Sequence, residues 1–130
     1  MSEWLIETSA WVAFFRGDAA AVARVDPLLA EGRAVVAGPV YAELLSGASS
    51  RDVQARLQAH LKGIPWLPEP AGLWERAAEA RFTLARQGYQ SSLVDVLIAL
   101  FAFDAGSSLL TRDRDYKSIS VVLPLNVAIF

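Results

Sequence analysis

Cysteine is absent from this chain of 130 residues, and histidine and lysine are scarce. Without thiols the chain has neither a disulfide framework nor a thiolate metal site. Its one histidine, His60, lies in a helical pattern away from every motif described below. Its only lysines, Lys62 and Lys117, do not follow strand-like runs, as a phosphoryl-accepting receiver domain would require. Imidazole catalysis and receiver-type chemistry are therefore disfavoured.

The sequence also lacks a strong charge of either sign and a long apolar run. The formal net charge is −2, from 14 acidic and 12 basic residues, whereas proteins that hold nucleic acid by electrostatics alone are usually basic. A nucleic-acid substrate would therefore require divalent cations to offset the acidic charge locally. The longest apolar run, 93–103, is broken by Asp95 and is too short to span a bilayer. With no signal-peptide pattern either, we predict a cytoplasmic protein without membrane association.

No repeat, low-complexity tract or linker divides the chain, and its length suits one domain over residues 1–130. The hydrophobic content of 54% indicates a surface patch covered by a partner. Among the aromatic side chains, Trp4 and Trp66 lie in apolar strand-like runs and are predicted to be core. Trp11 and the pair 14–15 are the candidates for a partner-facing patch.

Short strand-like runs alternate with longer helical patterns along the whole chain. The strand-like runs are 4–6, 34–36, 65–67, 108–110 and 127–129. The helical patterns are 9–15, 18–31, 39–46, 50–62, 70–87 and 92–105, with a short one at 113–117. This alternation predicts an α/β fold with a mainly parallel central sheet flanked by helices. The strand-like runs are almost wholly apolar, as a sheet covered on both faces requires.

Four carboxylates fall where such a fold could bring them together. In open α/β sheets, ligands bind outside the carboxyl ends of the strands. Glu7 directly follows the first strand-like run, and Asp113 comes three residues after Leu110, which ends another. Glu43 and Asp95 lie in the first turns of apolar helical patterns, where an unpaired charge is costly. The pattern makes these four residues candidate catalytic and metal-binding groups.

A cluster of carboxylates without cationic partners repels itself, and a hard divalent cation relieves that repulsion. Ligation by oxygen alone suits Mg²⁺ or Mn²⁺ rather than zinc or copper. Such an ion can lower the pKa of a water molecule and neutralise charge on a phosphoryl group. The sequence is therefore compatible with metal-assisted cleavage of a phosphodiester.

Each carboxylate also has a purely structural interpretation. Asp95 can complete a capping box with Ser92, and Asp113 can cap the short helical turn that follows it. Glu7 can cap the helix that begins near position 9, and Glu43 can interact with the dipole of its own helix. Taken singly, these residues do not distinguish capping from catalysis.

The order and spacing of the acidic motifs resemble the PIN-domain family, most closely the VapC-type toxins of bacterial toxin–antitoxin pairs. The resemblance runs nearly from end to end. The segments that carry it are 6–11 (IETSAW), 39–44 (PVYAEL), 92–99 (SLVDVLIA) and 110–116 (LTRDRDY). The last of these is the most specific of the four.

The resemblance implies a PIN-like three-layer fold with a twisted parallel sheet, and endoribonuclease activity that depends on Mg²⁺ or Mn²⁺. It also implies a small antitoxin partner that blocks the site, and often a homodimer. Carried over by position, Glu43, Asp95 and Asp113 match the family's acidic ligands, and Asp115 matches an accessory carboxylate. Thr8 and Thr111 match hydroxyl positions that border the site.

One departure concerns Glu7, which stands where the family ordinarily has aspartate. The charge is kept, but the carboxylate moves outward by one methylene. Mg²⁺ demands near-octahedral geometry, and a misplacement of about 1 Å can lower a rate about 100-fold. An alternative function therefore stays open, in which a catalytically weakened PIN-like module binds RNA or a protein without cutting efficiently.

Overall fold

Four short parallel strands form the central sheet in the computed structural model, which describes residues 2–130. The strands are β1 (Trp4–Ile6), β2 (Ala34–Val35), β3 (Ser108–Thr111) and β4 (Val127–Ile129). Their order across the sheet is β2-β1-β3-β4, and every pairing is parallel. The predicted α/β fold with a parallel sheet flanked by helices is confirmed. The single-domain organisation over 1–130 stays a prediction.

Helices connect the strands and pack against one another around the sheet. Within residues 2–130 they are α1 (Thr8–Phe15), α2 (Ala19–Ala30), α3 (Gly38–Ser46), α4 (Arg51–Leu61), α5 (Leu73–Arg86), α6 (Leu93–Ala105) and α7 (Asp115–Val122). Each begins within about three residues of its predicted start, the usual precision of a pattern-based boundary. The last helix is longer than predicted, because the apolar residues Ile119 and Leu123 anchor it in the core.

The predicted strand at 65–67 is wrong. Only one bridge forms there, between Val36 and Trp66, closed by bonds from Val36 N to Pro65 O (2.9 Å) and from Leu67 N to Val36 O (2.8 Å). Proline lacks a backbone N–H, so Pro65 cannot donate to a ladder. The segment therefore touches the end of β2 without joining the sheet as a strand.

Two predictions about aromatic side chains are also wrong. Trp11 is only 1% exposed, and it stacks on Phe15 with ring centroids 5.4 Å apart. Trp66 is 53% exposed and packs its ring against Tyr41 at 4.9 Å. Periodicity places a tryptophan on an apolar stripe, but it does not show which neighbouring element covers that stripe.

Helix α6 lies at the centre of the core. Every residue from Val96 to Ala102 is buried, so this helix has no solvent-facing side over most of its length. It contacts α3, α5, α7 and β3. Its end is closed by Gly106 in the left-handed conformation at φ 65°, which glycine adopts without a steric cost. Nowhere in residues 2–130 is a helix both long and apolar enough to cross a membrane.

The strand order determines where a ligand can bind. From β1 the chain continues to β2, which lies at one edge of the sheet, whereas from β3 it continues to β4, which lies at the opposite edge. The chain direction across the sheet thus reverses between β1 and β3, and the crevice outside their carboxyl ends is the usual binding position in such folds. The two strands are in register, with Ile6 paired to Leu110, and Glu7 N donates to Leu110 O at 2.9 Å. Glu7 and Thr111 therefore lie side by side at the carboxyl ends of β1 and β3.

We predict that Leu100→Ala destabilises the fold by about 2–5 kcal/mol, because it removes a fully buried side chain from α6 and leaves a cavity. Urea unfolding followed by circular dichroism measures the change. The matched control is Val121→Ala on α7, where the side chain is 58% exposed and the loss should stay within about 0.5 kcal/mol. Equal losses in the two variants would contradict the central position of α6.

Candidate functional site

Glu7 is the most buried carboxylate of the site, with 4% of the residue exposed. It is the N-cap of α1 and accepts the backbone N–H of Ser9 at 3.1 Å. The hydroxyls of Ser9 (2.5 Å) and Thr111 (2.6 Å) donate to the same oxygen, Oε1. The structural interpretation of Glu7 as a cap is thus correct, and in addition the side chain ties the end of β1 to the end of β3.

The direction of each proton in this network follows from a count of donors. A hydroxyl carries one proton, and both Ser9 and Thr111 direct theirs to Glu7 Oε1. Ser9 Oγ then accepts Arg112 N (2.9 Å), and Thr111 Oγ1 accepts Asp113 N (2.9 Å). No proton remains for the 3.2 Å contact between the two hydroxyl oxygens. Glu7 Oε1 therefore acts only as an acceptor in this network.

Asp113 lies in the loop that leaves β3 and is half-buried. Its backbone N–H is held by Thr111, and its Oδ1 accepts Asp115 N at 2.9 Å. The side chain therefore supports the turn into α7, but the N-cap of that helix is Arg114, whereas the capping interpretation predicts Asp113. Its second oxygen, Oδ2, takes no hydrogen bond within residues 2–130 and is available to a ligand.

Asp95 occupies the first turn of α6, directly before the fully buried part of that helix. Ser92 caps the helix, since its Oγ accepts Asp95 N at 3.0 Å, and this half of the predicted capping box is confirmed. Asp95 Oδ1 accepts the hydroxyl of Tyr116 at 3.0 Å. Tyr116 is fully buried on α7 and thereby fixes the carboxylate from the opposite side.

Glu43 reaches the site from α3 and is exposed. Thr8, the first residue of α1, donates its hydroxyl to Glu43 Oε1 at 2.6 Å. Asp115 begins α7 and is exposed, and it lines a groove together with Asp95. The sequence-predicted carboxylates thus come from the ends of two strands, from the first turns of α6 and α7, and from the second turn of α3.

Their electrostatics show an acidic centre without counter-charges. Burial raises the pKa of Glu7, and the charge of Asp95 adds to that shift against hydrogen bonds that lower it. Burial also raises the pKa of Asp95, with smaller contributions from the charges of Asp113 and Glu43. The pKa of the Tyr116 hydroxyl rises well above its usual range, through burial first and the neighbouring carboxylates second. Tyr116 therefore remains a hydrogen-bond donor at every pH where the protein is folded.

No ion pair within residues 2–130 includes any of these carboxylates. Arg112, which directly precedes Asp113, is instead paired with Asp18 and lies over the ring of Phe130 at 4.9 Å. In charge and in donor atoms, the set fits a hard divalent cation. In their present positions, however, no three acidic or histidine side chains of the described residues are close enough to hold one ion together. The carboxylates must turn to share an ion.

Sequence reasoning named the acidic residues but missed two polar residues that orient them. Ser9 donates to Glu7, and Tyr116 donates to Asp95. Both belong to the motif segments already noted, at 6–11 and 110–116. The bond from Ser9 to Glu7 is local and belongs to the start of α1, whereas the bond from Tyr116 to Asp95 joins two helices and needs the fold to close.

The fold and the site define a class: a parallel α/β domain whose carboxylates lie near the point between β1 and β3 where the chain direction across the sheet reverses. A model of the PIN domain matches residues 4–122. Ribonuclease VapC11 of Mycobacterium tuberculosis is 36% identical over 132 residues, which cover 97% of this chain and 98% of the relative. The chain belongs to the PIN-domain family and, within it, to the VapC ribonucleases.

Solved structures agree on the fold. VapBC2 from Rickettsia felis, bound to a DNA fragment from its promoter, has a TM-score of 0.77 at 19% identity, covering 98% of each chain. VapBC-5 from Mycobacterium tuberculosis, a member of the VapBC family of toxin–antitoxin systems, has a TM-score of 0.70 at 20% identity, covering 100% of each chain. At this identity the likeness concerns the fold alone.

We predict that Thr111→Val destabilises the protein by about 1–3 kcal/mol, because the buried Glu7 loses a donor and Asp113 N loses its acceptor. Thermal and urea unfolding measure the effect. The control is Thr83→Val on α5, where the half-buried hydroxyl makes no side-chain hydrogen bond within the described residues, and a change within about 0.5 kcal/mol is expected. A neutral Thr111→Val would show that the network contributes nothing to stability.

Proposed function

We propose that this protein is an endoribonuclease toxin that cleaves RNA at the carboxylate site with the help of Mg²⁺ or Mn²⁺. The observation that carries the proposal is the acidic centre outside the carboxyl ends of β1 and β3, where Glu7, Asp95 and Asp113 form no ion pair with any cationic side chain of residues 2–130. The relationship to ribonucleases named VapC supplies the substrate class.

The reaction is hydrolysis of a phosphodiester. Water adds to phosphorus, one P–O ester bond breaks, and the leaving oxygen takes up a proton. Members of this family generally depend on a divalent metal, and oxygen ligands favour Mg²⁺ or Mn²⁺. The bound ion would neutralise charge on the phosphoryl group and acidify water. Its ligands would be drawn from the predicted set of Glu7, Glu43, Asp95, Asp113 and Asp115.

The side chains around these carboxylates orient them for that role. Tyr116 holds Asp95, Thr8 holds Glu43, and the Ser9–Thr111 pair holds Glu7. Because the carboxylates must still turn to share an ion, these bonds limit how far each one can move rather than fixing its final position. Arg114 and Lys117 are exposed beside the acidic loop and are suited to contact RNA phosphates.

A protein antitoxin is the proposed partner, since the related solved structures include VapBC toxin–antitoxin complexes. In such an arrangement the antitoxin would cover the acidic site until the toxin is released. Homodimer formation and a cytoplasmic location stay predictions from the sequence.

The second candidate function is an RNA- or protein-binding module with weakened catalysis, and one observation favours it. Glu7 Oε1 already accepts three hydrogen bonds from the protein, which limits its freedom to turn towards an ion. Cleavage of an unstructured RNA in Mn²⁺ separates the two functions, because the weakened module would bind this RNA without cutting it.

We predict that Asp95→Asn abolishes RNA cleavage and changes the free energy of unfolding by less than about 1 kcal/mol. Asparagine keeps an oxygen for the Tyr116 hydroxyl and leaves the Ser92 cap on the backbone N–H of position 95 unchanged, but it has no charge for a cation. Single-turnover cleavage in Mn²⁺ measures activity. Thermal melting with and without Mn²⁺ or Mg²⁺ measures ion binding, which should stabilise the wild type and stabilise the variant less.

The matched control for this variant is Asp104→Asn near the other end of α6, where the carboxylate pairs with Arg76 away from the site. It should cleave RNA at the wild-type rate, and its loss of stability should be under about 1 kcal/mol because the pair is partly exposed. Wild-type cleavage by Asp95→Asn would remove Asp95 from the catalytic site. No melting shift of the wild type in millimolar metal would overturn the metal site.

We predict that Glu7→Asp raises the single-turnover cleavage rate by several-fold, up to about 100-fold, because the shorter side chain restores the position typical of the family. Aspartate is also a good N-cap, so α1 should keep its cap on Ser9 N. Both proteins are compared on one RNA in saturating Mn²⁺, with thermal melting to confirm equal folding. A slower or unchanged rate would show that the site is built around glutamate.

A further inference from the structure

A groove of about 920 Å³ opens beside the carboxylate site, between α5 and the turn that enters α6. We name it the α5–α6 groove, and the lining residues used below are Arg81, Phe82, Tyr89, Ser91, Leu93 and Asp95. Asp115 lines it as well, so its inner end is continuous with the acidic centre. A chain bound across the carboxylates would therefore extend directly into it.

Large apolar side chains form one wall of the groove and are open to solvent. Phe82 is 59% exposed, Leu93 is 41% exposed and Tyr89 is 38% exposed. Two exposed aromatic rings lining one groove are unusual for a surface that only faces water. Rings of this kind are the platforms on which unpaired nucleobases stack, and any base can use them because every base has a π-face.

Arginines flank these rings and have no acidic partner within residues 2–130. The Arg86 guanidinium lies over the Phe82 ring at 5.6 Å from its centroid. Arg81 donates from Nε to Ser91 O at 2.9 Å, which fixes its position and leaves its two terminal nitrogens free of hydrogen bonds in the described part of the chain. Guanidinium groups beside aromatic rings match the alternation of phosphate and base along a single strand.

The rings and the arginines together decide which occupant suits the groove. An apolar protein segment would use the aromatic wall but not the arginines. A single RNA strand uses both features and also reaches the carboxylates.

We propose that the α5–α6 groove is a nucleobase-binding subsite, in which one unpaired base near the scissile phosphate stacks on Phe82 while Arg81 contacts an adjoining phosphate. This inference rests on the proposed ribonuclease function. It assigns the groove a part in selecting where the RNA is cut, because a base must fit there when the phosphate lies at the carboxylates.

The test pairs Phe82 variants with RNAs that lack one base. One single-stranded RNA with a single cleavage position is prepared intact and as a series with one abasic residue at each position around that site. Phe82→Leu keeps an apolar side chain without the π-face, and Phe82→Trp restores an aromatic ring. The matched control is Trp74→Leu, on the same helix but outside the groove, where the ring is 62% exposed.

On intact RNA we expect Phe82→Leu to lower kcat/KM about 5- to 100-fold, and Phe82→Trp to stay near the wild type. On the RNA that lacks one particular base, Phe82→Leu and wild type should cleave equally, because the stacking partner is already missing. Trp74→Leu should match the wild type on every RNA. This coupling between one side chain and one base is a result that a folding defect cannot produce.

Two results would overturn the subsite while leaving the ribonuclease function intact. In the first, the wild type cleaves RNA, but Phe82→Leu lowers kcat/KM by the same factor on every RNA or does not lower it at all. The second is unchanged cleavage with an altered oligomeric state by light scattering, which would assign the groove to a second copy of the chain. If the wild type cleaves no RNA, the proposed function fails and the subsite fails with it.

Discussion

A buried carboxylate that must remain hydrogen-bonded is the constraint on which the site depends. Glu7 is withdrawn from water to 4% exposure, and a charge in such a place is unstable without donors. Its donors come from the start of α1 and from the end of β3, which are adjacent only when β1 and β3 pair in the observed register. A shift of one residue would turn Thr111 to the opposite face of the sheet and leave Glu7 without that hydroxyl. The observed register of β1 and β3 is therefore required for the geometry of the site.

The negative charges of the site's carboxylates lie near one another without ion-pair partners in residues 2–130, which costs stability. Asp95 and Glu7 have raised pKa values because burial and neighbouring charges disfavour ionisation, and none of the described arginines or lysines compensates them. A protein selected only for stability would have placed a cation or an apolar residue here. The arrangement makes sense when a divalent ion and a phosphate complete it, and it also explains how a chain of net charge −2 can accommodate RNA.

Helix α6 couples this acidic centre to the core. It is buried from Val96 to Ala102, so the helix cannot slide or rotate without opening the interior, and Asp95 in its first turn is held in place by this packing. Tyr116 completes the arrangement from α7, since its ring is packed in the core and its hydroxyl ends at the carboxylate. Rigid elements hold a catalytic group more precisely than loops do. The groove beyond Asp95 is different in kind, because its aromatic rings remain exposed in the protein alone.

By itself the sequence determined the α/β class, the helix positions to within a few residues, the Ser92 cap and the acidic residues at strand ends and helix starts. Those features depend on periodicity and capping within a few neighbouring residues, so they can be predicted without the tertiary structure. The tertiary structure decided what lies far apart along the chain, such as the bond from Thr111 to Glu7, which are 104 positions apart, and the strand order that creates it. It also decided that Trp11 is core and Trp66 is exposed, contrary to prediction, because burial depends on which element covers a stripe. Local patterns carry no information about such partners, since topology and register alone bring them together.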